Sequence, residues 1–109
     1  MTTTLGSALE ETAHALGYQS ASAFAEIELR NRASQKLAYF KSRVDLYEQK
    51  YDMLFDEFMQ RVPNQKDVDL KRFSIIEKED DSMDWDDSLH SLRFYAAVLT
   101  FIATRLTSD

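Results

Sequence analysis

Residues that interrupt helices are nearly absent from this chain: 109 residues contain 2 glycines and 1 proline, where average composition gives roughly 7% and 5%. The tight turns and bulges of an all-β fold depend on those residue types. Helices are therefore the elements this chain can form, and Gly17 and Pro63 mark where they break.

Ser7-Ala-Leu-Glu10 reads as a capping box, in which the serine hydroxyl accepts from a first-turn amide and the glutamate returns to the cap amide. It predicts a short helix ending at Leu16, closed by a left-handed Gly17, with Ser20 or Ser22 capping the next. That second helix is expected from about Ala21 to Val62, because the residue before Pro63 is pushed out of helical geometry. Along it Leu37, Phe40, Val44, Tyr47, Tyr51, Leu54 and Phe58 recur at spacings of three and four, a heptad seam. Tyrosine and phenylalanine at four of those positions point to globular packing with coiled-coil character.

Pro63-Asn-Gln-Lys-Asp67 reads as a polar loop, and Phe73-Ser-Ile-Ile-Glu77 as a β-leaning stretch expected to be extended. The last helix is expected from Ser82 to about Leu106. Its seam is Trp85, Leu89, Leu92, Ala96, Leu99, Ala103 and Leu106, widened by Phe94, Tyr95, Val98, Phe101 and Ile102. The fold expected is all-α in a single domain of 109 residues: an N-terminal helical hairpin (1–35), a long helix (36–62), a loop with an acidic segment (63–81) and a C-terminal helix (82–106). The apolar surplus around the last helix points to a self-associated dimer or a bound partner, and the expected bundle is one completed by dimerisation. Leu37, Phe40, Val44, Tyr47, Tyr51, Leu99 and Ile102 are the expected self-association positions.

At 44% hydrophobic and 29% charged residues the chain is apolar enough to fold. A net charge of −6 opposes nonspecific phosphate binding and favours a basic protein partner. There is no cysteine, which removes disulfides, thiolate metal sites and cysteine nucleophiles. Met1 to Leu5 lacks the basic and apolar regions of a secretion signal, and the run Phe94 to Ala103 is about half of a membrane span. A cytoplasmic protein without a membrane segment is the expectation.

Glu11/His14 and Asp87/His90 each place a carboxylate and an imidazole one helical turn apart, a spacing used by di-iron bundles. Those sites also need glutamates projecting from two further helices, where this long helix offers Phe, Tyr and Leu. No nucleophile elbow, phosphate-binding loop or calcium loop is present. The expectation is a binding protein with no catalytic residues, metal or cofactor.

The most biased segment, Glu77 to Asp87, holds seven acids, one lysine and the only tryptophan. Two readings stand: the acids start a helix and solubilise the surface, or they rim an aromatic anchor for a basic partner. The second makes Asp80, Asp81, Met83, Asp84, Trp85 and Asp86 the partner-binding set.

Two resemblances add to this. Ala13 to Arg30, with its helix, Gly-Tyr turn and second helix, resembles the hairpin of ribbon-helix-helix repressors, which implies dimerisation and promoter binding carried by Arg30, Arg32, Lys36, Lys41 or Arg43. Met1 to Leu5, standing where such repressors have their DNA-reading strand, contains no Lys or Arg. Tyr47-Glu-Gln-Lys-Tyr-Asp-Met-Leu-Phe-Asp-Glu-Phe58, a polar loop, and Glu79-Asp-Asp-Ser-Met-Asp-Trp-Asp-Asp87 before an apolar helix resemble small helical antitoxin-like proteins of prokaryotic toxin-antitoxin pairs. This implies a protein that neutralises a partner toxin, such as a ribonuclease, by occlusion. Asp52 and Leu54 stand where that group has Gly and Ser, so the helix is expected to run through unbroken. The alternatives are a self-associating structural or adaptor module, and a DNA-binding transcriptional regulator.

Overall fold

The computed structural model describes the backbone of residues 4–107 and the side chains of residues 4–105. Within these bounds all regular structure is helical: α1 (Leu5–Ala15), α2 (Ala21–Tyr51), α3 (Phe55–Arg61) and α4 (Ile75–Thr107). Met1 to Thr3 of the expected DNA-reading segment and the Leu106 side chain lie outside the described residues.

Helix α1 is capped by Thr4, whose hydroxyl accepts from the Ser7 amide at 3.2 Å. The cap therefore sits three residues before the expected Ser7 box, and Glu10 instead accepts from the Ala21 amide at 3.2 Å across the turn. Gly17 does close the helix, with φ 94°. The Tyr18 and Gly17 amides donate to the Ala13 and His14 carbonyls at 2.9 and 3.0 Å, satisfying carbonyls that the helix end would leave open. Ser20 caps α2 by accepting from the Ala23 amide at 3.0 Å.

The expected continuous helix to Val62 is corrected at Asp52, which adopts φ 54°, ψ 42° and ends α2. Aspartate tolerates the left-handed region better than most residues. The break turns α3 back, so that Phe58 packs 4.7 Å from Tyr51 and Phe55 packs 5.2 Å from Trp85, ring centroid to centroid. A second correction concerns Phe73–Glu77, which is not extended. Ser74 caps α4 by accepting from the Glu77 amide at 3.0 Å, so α4 begins about two turns before Ser82 and carries the acidic run inside it. The turns between α3 and α4 are pinned by Asp67, which accepts from Arg61 Nε and Nη2, both at 2.9 Å, and from the Asp69 and Leu70 amides.

Helices α2 and α4 lie antiparallel, as the pairs Lys50–Glu77, Arg43–Asp84 and Phe40–Tyr95 require. The result is a rod of 74 × 30 × 19 Å. Its radius of gyration is 21.4 Å, against about 13 Å for a compact chain of this length. One end is a head with a true core: Val44, Tyr47, Tyr51, Met53, Phe58, Leu70 and Trp85, backed by Phe55, Val62, Phe73, Leu89 and Leu92. The other end, formed by α1, the first half of α2 and the last half of α4, is an arm with little interior. Among the described residues, the only buried hydrophobic residues before Val44 are Ala13 and Ala33.

Candidate functional site

The acidic run divides by helical phase. Glu77, Asp81 and Asp84 recur at four and three and face α2, where Arg43 and Lys50 sit one heptad apart. Asp84 accepts from Arg43 Nη2 at 2.6 Å and from the Tyr47 hydroxyl at 2.5 Å. Lys50 bridges Asp81 at 2.6 Å and Glu77 at 2.7 Å, and Asp81 also accepts from the Tyr51 hydroxyl. The hydrogen bond from Tyr47, and then that from Arg43, hold the Asp84 carboxyl below its ordinary value. Burial, reinforced by the bond to Asp84, pushes the Tyr47 phenol up to about 12. Burial and then the Asp81 bond move Tyr51 in the same direction. These groups form a latch between helices, and their chemistry is consumed inside the chain.

Trp85 is fully buried at the centre of the head. It stacks on Tyr47 and Tyr51 at 5.7 and 5.9 Å and meets Phe58 at 5.3 Å. Its indole N–H is buried with no hydrogen-bond partner. Of the expected partner-binding set, Trp85 is buried and so does not stand at the surface as an anchor, and Asp81 and Asp84 are partly exposed but paired with α2. Asp80 and Met83 are exposed and Asp86 is half-buried. The exposed side of α4 carries Ile76, Asp80, Met83, Asp87, His90 and Phe94 at spacings of four and three, a mixed apolar and acidic stripe.

Part of the expected self-association seam is buried within the chain. Val44, Tyr47 and Tyr51 are buried in the head, Phe40 stacks on Tyr95 at 6.0 Å, and Leu37, Leu99 and Ile102 are half-buried. Exposed apolar surface remains at both ends: Leu54, Val68, Ile75 and Ile76 at the head, and two grooves on the arm. Leu9, Leu16, Phe24 and Ala25 line a groove between α1 and α2. Ala25, Leu29, Phe101 and Ile102 line a second, between α2 and α4. Ala25 lines both. Leu9, Leu16, Leu29 and Phe101 are each more than half exposed.

Of the arm's cations, Lys41 pairs with Asp45 at 3.1 Å and Arg43 with Asp84, while Arg30 and Arg32 are exposed. His14 Nε2 lies 2.7 Å from the Gln19 carbonyl, and His90 Nδ1 lies 2.9 Å from the Asp86 carbonyl. Among the described residues no group of three or more His, Asp or Glu side chains is arranged to hold a metal ion.

Sequence reasoning placed Arg43 only among candidate promoter-binding cations and passed over the roles of Lys50, Arg61 and Asp67. Arg43 and Lys50 stand beside the tyrosines of the seam one heptad apart, a signal for acids at matching phase on a facing helix. The Arg61–Asp67 clamp leaves no comparable trace. No protein-family model, curated protein or solved structure matches this chain.

Proposed function

We propose that this protein is a protein-binding module that works as a self-associated pair, the arms of two copies packing together while the heads remain free. The observation that carries this is surface area. A folded 12.7 kDa monomer exposes about 6,200 Å² by the usual scaling, whereas this chain exposes 8177 Å². The excess, roughly 1,900 Å², is in the range that one protomer contributes to an obligate homodimer interface. The two arm grooves, which share Ala25, are a surface that another helix pair would fill.

With the arms engaged, the outward stripe of α4 is the face presented to a further partner. Ile76 and Met83 supply apolar contact, and Asp80 and Asp87 supply the negative charge that selects a basic surface. The resemblance to antitoxin-like proteins makes a cognate toxin the partner class, neutralised by occlusion. The proposal that the chain neutralises such a toxin rests on that resemblance and on the acidic stripe.

The absence of cysteine makes the test clean, since a single Ala25→Cys substitution gives one labelling site per chain. The pair predicts disulfide cross-linking between copies under mild oxidation, abolished by Leu29→Glu with Phe101→Glu while helicity is retained. A parent protein that stays a single chain in light scattering at concentrations where it is otherwise intact refutes arm pairing. For the toxin, a stoichiometric basic protein captured from native cells and lost on Met83→Glu supports the inhibitor reading, and capture unaffected by that change refutes the stripe.

A further inference from the structure

The head contains a feature that neither the latch nor the arm uses. Lys78 is 6% exposed, and among the described residues its ammonium has no hydrogen-bond or ion-pair partner. The acids that face α2 are taken by Lys50 and Arg43. Lys78 instead lines a cleft of about 330 Å³ between α3 and the start of α4, walled by Met59, Val62, Pro63 and Ile75. Two of those walls are costly to leave wet, since Met59 is 44% and Ile75 60% exposed.

We propose that this cleft is a binding site for an aliphatic carboxylate, whose head group pairs with the Lys78 ammonium and whose hydrocarbon body covers Met59, Val62 and Ile75. The Lys78 stem is packed away while its ammonium keeps solvent access and has no partner among the described residues, so an anion entering the cleft can form a charge-assisted bond with it. The charge count selects the class. One lysine matches one negative charge, and Glu79, which also lines the cleft, opposes a second. A phosphate dianion would call for several donors or a guanidinium fork. The walls select the body: beside the polar Gln65 and Ser82 at the cleft they are aliphatic and thioether, without an aromatic ring to stack on, and methionine adapts to chains of differing shape. The volume is at the small end of ligand pockets, fitting a medium-length acid or the last residue of a peptide with a free C-terminus. The cleft belongs to the head and its own core, so the inference stands or falls independently of arm pairing.

The test is a methyl-resolved NMR titration of the full chain with octanoate. Saturable shifts at Met59, Val62 and Ile75 are expected, with affinity reduced at least about tenfold in Lys78→Met, the loss of one bond to a charged group. Methionine preserves the packing of the lysine stem, and an unchanged spectrum elsewhere shows that the head remains folded. Octanol, with the same body and no charge, should bind at least about tenfold more weakly than octanoate on the same ground. A parallel titration with acetyl-Ala-Val-Leu as its free acid distinguishes the source, the tighter ligand identifying a free acid or a peptide terminus. Octanoate that shifts none of the three methyls, or binds Lys78→Met as well as the parent, or binds no better than octanol, overturns the site.

Discussion

Replacing Trp85 with alanine should bring this protein close to unfolding. The side chain is fully buried and stacks between Tyr47 and Tyr51 with Phe55 and Phe58 on its edges. Burial of a tryptophan removes about 150–250 Å² from water, which at about 25 cal/mol/Å² is worth roughly 4–6 kcal/mol. Measured large-to-small changes at such sites cost about 3–5 kcal/mol, a large part of the total stability of a small domain. Trp85→Phe should cost well under half of that, because it retains the ring and loses no hydrogen bond, the indole N–H having none. The assay is urea denaturation followed by circular dichroism at 222 nm, at one fixed protein concentration because pairing contributes to stability. The parent's single tryptophan gives a second readout, since its fluorescence should resist quenching by iodide until the head unfolds. An unchanged midpoint in Trp85→Ala, or ready quenching in the native protein, would refute the placement of this residue in the core.

Three further outcomes follow from the latch and the helix break. Asp84→Asn should lower stability at pH 7 by about 1 kcal/mol, the site being half-exposed and screened. Because the folded carboxyl titrates below its unfolded value of about 4, its contribution is present above that pH and is lost as pH falls through the folded pKa. The gap between Asp84→Asn and the parent should therefore close in acid denaturation series. Tyr47 titrates at about 12 when folded, so its contribution is full below the unfolded value of about 10 and declines as pH rises from there. Alkaline absorbance titration should show a late component that Tyr47→Phe diminishes. Asp52→Gly should raise stability by about 0.5–1 kcal/mol in thermal melts, since glycine adopts φ 54° without the side-chain penalty; a loss would show that the aspartate has a role beyond ending α2.

Much of this architecture was legible before the coordinates. The scarcity of Gly and Pro and the seams along residues 37–58 and 85–103 require two long helices packed lengthwise, and α2 and α4 are those helices. The phase of Trp85 with Leu89 and Leu92 already placed it on a packing face, and its acidic neighbours obscured that. The break at Asp52 left no local mark, because aspartate is only weakly biased to left-handed backbone and the gain comes from packing Phe55 and Phe58 on distant residues. The division of the acidic run was hidden for a related reason. Glu77, Asp81 and Asp84 differ from Asp80 and Asp87 only in the helix face they occupy, and the cations that claim them lie more than 25 residues away on α2, in a register that only the paired helices define. Of the residues expected to meet a second copy, Val44, Tyr47 and Tyr51 are buried in the head of their own chain, whereas Ile102 lines a groove on the arm.

Sedimentation equilibrium of the full chain over a wide concentration range addresses the central claim most directly. Arm pairing predicts a mass of twice 12.7 kDa, falling to that of one chain when Leu29 and Phe101 are both changed to glutamate. A parent protein that remains a single chain at high micromolar concentration, with its helices intact, would contradict it.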